Sequence, residues 1–149
     1  MTDRELALRA WESLFRAQHE LFVKMSADFD GAAITEAEYD VLLTVVRAPR
    51  MSARLRDITA NSLVSQPSVS RLVERMVARG LVTKCADPHD GRGALVTATE
   101  AGARSFRALA ASHGRSIAER MSVLDDDELG TLFALTQKLR GKEAMQRAE

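Results

Sequence analysis

The segment "SQPSVSRLVERMVARGLVTKCADPHDGRGALV", Ser65 to Val96, changes pattern three times. Val69, Leu72, Val73, Met76 and Val77 recur at spacings of three and four, which predicts an amphipathic helix. Ser65 stands where an N-cap is needed, Pro67 falls in the first turn, where its missing N–H removes no helical bond, and Gly80 is placed to end the helix. "LVTKCA" and "ALVTA" then read as two short strands joined by "DPHDGRG", a hairpin.

With the apolar stripe turned inward, Arg71, Glu74, Arg75 and Ala78 point away from it, and Ser68 and Ser70 lie on its flanks. The first turn presents Ser65, Gln66 and Ser68 at the helix end where free backbone donors and the helix dipole favour phosphate. Short hydroxyls and an amide suit base edges, and two arginines one turn apart suit bases or backbone. A recognition helix in a major groove is built this way; so is a surface helix with solvated arginines. The hairpin weights the first reading. Its tip holds Arg92 between two glycines, a long cation fitted to the negative potential of a narrow minor groove. Asp90 is placed to orient that guanidinium through a charge-assisted bond. His89 reads either as a phosphate contact or as a solvated loop histidine.

The flanking sequence is helical. Trp11, Leu14, Phe15, Phe22, Met25 and Phe29 mark a first helix over Leu6 to Phe29, closed by "DGA". Thr35 and Glu38 form a capping box for a second helix with Val41, Leu42, Val45 and Val46 inward, ended by Pro49. Ser52 is placed to cap a short third helix containing Leu55 and Ile58. Beyond the hairpin, Thr99 caps a helix reaching about Met121, with Gly102 and Gly114 as weak points. Asp125 and Glu128 repeat the capping spacing before Leu129, Leu132, Phe133, Leu135 and Leu139. The fold class is therefore mainly α with a small β-hairpin wing: a winged helix-turn-helix lobe over 34–98, and a helical dimerisation region over 1–33 and 99–149.

The 149 residues carry 21 basic and 21 acidic side chains, but unevenly. Between Arg47 and Arg92 stand nine Lys/Arg against four Asp/Glu, and the remainder is acidic. A basic middle fits a polyanionic partner. No apolar run approaches the roughly 20 residues of a membrane span, the N-terminus "MTDRELALRA" lacks a secretory pattern, and one cysteine builds no intrachain disulfide; a cytoplasmic, reducing setting is expected. His19, His89 and His113 are scattered without ligand spacing, and no glycine-rich phosphate loop follows a strand, so neither a metal site, a cofactor nor catalysis is expected. "DDDE" at Asp125 to Glu128 falls where a helix start favours acids.

"SQPSVSRLVERMVARGLV" followed by "DPHDGRGALVTATEAG" resembles the MarR family of winged helix-turn-helix transcription regulators, in the helix ending Arg-Gly-Leu-Val, in Asp90-x-Arg92, and in "TEAG" at Thr99 to Gly102. The resemblance implies a homodimer in which the first and last two helices interlock and two winged lobes meet successive major grooves of double-stranded DNA. It implies Arg92 as the minor-groove arginine and Asp90 as its positioning partner. Two departures stand out: the wing reads Gly91-Arg92-Gly93 without further arginines, and Ala98 occupies a position usually held by leucine. The apolar first and last helices exceed what one small lobe buries, which independently implies a two-fold partner and a near-palindromic operator.

Many proteins of this resemblance release DNA on binding a small, often anionic aromatic effector. Trp11, Phe15 and His19, with Arg56 and Asn61 as polar partners, are the candidate effector-binding residues; an aromatic stripe at helical spacing also serves simply as core. Cys85 offers oxidation sensing as an alternative, with Lys84 beside it, although a small buried hydrophobe is the plainer role in a strand. A winged-helix protein-interaction module without specific DNA binding is the rival from another class.

Overall fold

The computed structural model describes residues 3–62 and 66–141, with 66 and 67 as backbone only. Two helices open with the same reciprocal device. Thr35 Oγ1 accepts from the Glu38 N–H while the Glu38 carboxylate accepts from the Thr35 N–H, and Asp125 and Glu128 repeat the pair with both bonds at 2.9 Å. The helices are α1 (Arg4–Met25), α2 (Glu36–Arg47), α3 (Leu55–Asn61), α4 (Gln66–Ala78), α5 (Glu100–Met121) and α6 (Asp126–Leu139); the strands are β1 (Ser52–Arg54), β2 (Val82–Asp87) and β3 (Asp90–Ala98). The expected fold class is what forms: six helices and a small antiparallel wing.

Several boundaries differ from the sequence expectation, each for a local reason. α1 starts earlier because the Asp3 carboxylate accepts from the Glu5 and Leu6 N–H groups, and it tightens into a 3-10 turn over Ser26–Phe29. Ser52 does not cap α3. It lies in β1, opposite Thr97, and the two hydroxyls hydrogen-bond. The hairpin thus gains a third strand, in the order β1-β3-β2. Arg50 and Met51, both at positive φ (58° and 53°), reverse the chain between α2 and β1.

The chain divides into two compact units, residues 1–113 and 114–149. The first holds the core: Val41, Leu42 and Val45 of α2, Ile58 of α3, Val69, Val73 and Met76 of α4, Val82 of β2 and Val96 of β3, each at most 2% exposed. Each such side chain contributes about 1.5–3 kcal/mol on burial, so the face of α4 that they define is held firmly inward. Gly80 (φ +74°) closes α4 in a Schellman arrangement, with Leu81 N–H donating to Met76 O and Gly80 N–H to Val77 O. Gly102 is not a weak point in α5. A Cβ there would lie 2.0 Å from the Leu81 carbonyl oxygen, so glycine is what lets α5 pass this backbone, while Thr99 Oγ1 accepts from the Gly102 N–H.

The helices α1 and α6 have no buried residue. In the first unit α1 exposes Trp11 (64%) and Phe15 (58%); in the second, α6 exposes Phe133 (53%) and Leu139 (75%). No helix among the described residues is long and apolar enough to cross a membrane.

Candidate nucleic-acid interface

The packing of α4 decides what it can offer. With Val69, Leu72, Val73 and Met76 buried, Arg71, Glu74, Arg75 and Ala78 are exposed on the opposite side, and Ser68 and Ser70 are half-buried on the flanks. Arg71 Nη2 donates to Ser68 Oγ at 3.4 Å, one turn earlier, a weak contact that leaves the guanidinium available. Val77 is a correction to the stripe: it is 37% exposed, at the edge of the buried face that Met76 beside it completes. Ser65, both as cap and as contact, lies outside the described residues, and so does the side chain of Gln66.

Arg79 belongs to the scaffold, beyond the end of α4. Its guanidinium binds both oxygens of the buried Glu38 carboxylate and donates to the Ala33 carbonyl at 2.7 Å. Glu38 thus joins the cap of α2 to the end of α4, and Lys84 Nζ, 2.6 Å from Glu74, ties β2 to the same helix.

The wing differs from a plain loop. β3 begins at Asp90, and Ala86 pairs with Ala94 while Asp87 pairs with Asp90, so Gly91, Arg92 and Gly93 have no partner on β2 in this register. Arg92 sits exposed in this unmatched stretch of strand. Asp90 orients it differently from the expectation: Oδ1 accepts from the Arg92 backbone N–H at 3.1 Å, and among the described residues no carboxylate holds the guanidinium. The base of the tip is fixed by buried Asp87, whose Oδ2 is 2.9 Å from Arg54 Nε and whose Oδ1 accepts from the His89 N–H.

These ion pairs sharpen the charge asymmetry of the middle segment. Arg54, Arg79 and Lys84 are engaged with carboxylates; Arg47, Arg50, Arg56, Arg71, Arg75 and Arg92 are exposed without one among the described residues. Sequence reading missed Arg54 and Arg79 as positioning residues, since only their tertiary partners reveal the role.

Cys85 is exposed, which corrects the expectation of a buried side chain. Its partner across the strands is Leu95, whereas the buried Val96 lies opposite Lys84, so strand alternation turns Cys85 away from the core.

None of the candidate effector residues lines the cavity of the first unit. Trp11 and Phe15 stack with ring centroids 6.1 Å apart on the exposed face of α1, His19 and Arg56 are exposed, and Asn61 Nδ2 donates to its own helix at Asp57 O. That cavity, of about 380 Å³, is lined by Phe22, Phe29, Glu36, Ala37, Tyr39, Asp40, Leu43, Ser62, Leu72 and His113. His113 Nδ1 is 2.8 Å from Asp28 Oδ2, and its ring meets Phe29 and Tyr39. Burial pushes the Asp40 carboxyl above its ordinary range, and the Tyr39 phenol upward as well, offset in part by Arg47. The sequence signal for this wall was Glu36 and Asp40, four apart on one face of α2. Among the described residues no group of three or more His, Cys, Asp or Glu side chains is arranged to hold a metal ion.

A helix with one face buried in the core and arginines on the opposite face, in a lobe with a three-stranded wing, defines a winged helix-turn-helix protein. Residues 34–93 match the sequence model of the MarR family. Sco5413, a MarR family transcriptional regulator from Streptomyces coelicolor, is 26% identical with a TM-score of 0.73, over 96% of this chain and 97% of that one. Sco3205 of the same organism, solved in complex with DNA, is 20% identical with a TM-score of 0.78 (93% and 88%). NadR, solved in complex with 4-hydroxyphenylacetate, is 17% identical with a TM-score of 0.75 (86% and 89%). No curated protein matches the chain. Residues 34–93 thus resemble the MarR family of transcriptional regulators, and the chain shares the fold of that family's solved members.

Proposed function

We propose that this protein represses transcription by binding a near-palindromic operator as a homodimer and leaves it when a small effector binds. The observation that carries the reading is the division of α4 into a fully buried face and a face presenting Arg71 and Arg75, with Arg92 exposed on the wing. Ser65, Gln66, Ser68 and Ser70 are assigned to the base-edge and phosphate contacts of the first turns, Arg71 and Arg75 to bases and backbone, and Arg92, held by Asp90 through its backbone, to the minor groove. The lobe 34–98 is assigned to DNA; the segments 1–33 and 99–149 are assigned to dimerisation, supported by the exposed apolar residues of α1 and α6. The structure of Sco3205 with DNA and that of NadR with a small ligand support both halves of the reading by analogy.

Occupying promoter DNA excludes polymerase. An effector preferring a different spacing of the two lobes weakens the complex in proportion to its differential affinity, typically by about 1–3 kcal/mol of coupling. The test is selection of fragments from the source genome by the purified protein, followed by titration in rising salt. A specific fragment whose affinity falls steeply with salt through counterion release supports the proposal; equal affinity for competitor duplex refutes it and favours a protein-interaction module.

A further inference from the structure

The cavity of the first unit has a chemistry of its own, distinct from that of the Trp11–His19 face. Three aromatic rings line it: Phe22, Phe29 and Tyr39, the last two edge-on with centroids 5.5 Å apart. Glu36 and Asp40, one turn apart on α2, bring two carboxylates into the same wall. Among the described residues no lysine or arginine lines it. The remaining ionisable lining group, His113, already faces the Asp28 carboxylate at 2.8 Å. Glu36 receives one hydroxyl, from Ser26 Oγ at 3.3 Å, while Asp40 has no hydrogen-bond or ion-pair partner among the described residues. An anion placed here would meet two carboxylates and no lining cation; Arg47, whose charge reaches Tyr39, stands outside the lining. An ammonium group would meet both carboxylates, and the aromatic faces would favour the same sign.

We infer that this cavity takes a small aromatic amine, its ammonium head at Glu36 and Asp40 and its ring against Phe22, Phe29 and Tyr39. The inference rests on the reading of the protein as effector-responsive and reverses the charge of the anionic aromatic effector expected from the family resemblance. It also supplies a route to the DNA-binding helix. Leu72, on the inward face of α4, forms part of the same cavity, so an occupant bears directly on that helix. Burial of the Asp40 carboxyl, which pushes its pKa up, is the condition that a bound cation relieves.

Three probes that share a phenol ring and differ in head group test the sign: tyramine (cation), tyrosol (neutral) and 4-hydroxyphenylacetate (anion), titrated calorimetrically into the full chain without DNA. Tyramine is expected to bind at least about tenfold more tightly than either of the others. Asp40→Asn is expected to weaken tyramine about tenfold while leaving tyrosol unchanged; if that variant does not fold, Glu36→Gln carries the same expectation. Equal or tighter binding of 4-hydroxyphenylacetate, tyrosol matching tyramine, no tyramine binding at millimolar concentration, or an unchanged tyramine affinity in the folded variant overturns the inference. Operator affinity of the same preparation is read separately by fluorescence anisotropy. Tyramine binding that leaves operator affinity untouched supports the cation site and counts against the effector reading; loss of operator binding in the absence of any ligand counts against the repressor reading alone.

Discussion

The Arg79 guanidinium closes on the buried Glu38 carboxylate, joining the chain just past the end of α4 to the first turn of α2. Glu38 is 3% exposed and also completes the Thr35 capping box, so removing Arg79 strands a buried charge. Arg79→Ala is expected to cost about 2–3 kcal/mol in urea unfolding, below the range for a fully enclosed pair because the Arg79 side chain is 47% exposed. The same variant should bind DNA more weakly than its folded fraction accounts for, since α4 loses its tether. An unchanged unfolding midpoint would remove Arg79 from the scaffold.

Two glycines of α5 should respond oppositely to alanine. At Gly102 the new Cβ meets the Leu81 carbonyl oxygen at 2.0 Å, and Gly102→Ala is expected to destabilise by about 3 kcal/mol or more. At Gly114 nothing lies within 4 Å, and Gly114→Ala is expected to stabilise by about 0.5–1 kcal/mol through helix propensity. Thermal melts of the two variants check both signs at once.

Asp40 gives the cavity a pH dependence. Its folded pKa is raised by burial, so the native state holds this proton more tightly than the unfolded chain. Asp40 therefore withdraws stability as pH rises from the ordinary carboxylate range through its raised value, and Asp40→Asn should be more stable than the parent above that window and equal to it below. Tyramine affinity should rise with pH across the same window as the carboxylate ionises, then level off. The titratable and charged groups around Asp40 are Glu36 and Tyr39 on its own helix, Arg47 acting on Tyr39, and His113 with its Asp28 partner, so the profile is best read as the difference between parent and Asp40→Asn. A flat difference would show that Asp40 does not meet the ligand.

Much of this was legible in the sequence, because caps and periodicity are local. The Thr35–Glu38 and Asp125–Glu128 boxes, the Gly80 stop and the inward face of α4 each depend on residues within one or two turns. What was not legible depends on distant partners. β1 exists because Ser52, Ala53 and Arg54 find β3 more than 40 residues away, which a serine followed by a helical pattern does not announce. Gly102 reads as a helix defect until Leu81 is seen against it. Cys85 looked like core because "LVTKCA" is mostly apolar, yet strand alternation opposite Leu95 turns it outward. Trp11 and Phe15, the aromatic residues that helical spacing singles out, share a helix face, but the described cavity gathers Phe22, Phe29 and Tyr39.

The bare faces of α1 and α6 bear on assembly. Trp11 and Phe15 in the first unit and Phe133 and Leu139 in the second are each more than half exposed, large apolar side chains that a partner subunit would cover. Sedimentation equilibrium at micromolar concentration should give a dimer, and Phe133→Glu should shift it towards monomer. A monomeric parent protein would leave the two-fold operator without its physical basis.

The central claim is that α4 and the wing grip a duplex together. It is tested most directly by fluorescence anisotropy on a fragment selected from the source genome, comparing the parent with Arg71→Ala and Arg92→Ala over a range of salt. Arg71→Ala is predicted to cost about 1–3 kcal/mol and to relax base preference, while Arg92→Ala weakens binding and lowers the salt slope by about 1. If both variants bind the fragment with the parent's affinity and salt slope, the assignment of these two arginines, and with it the account of how this protein holds DNA, is contradicted.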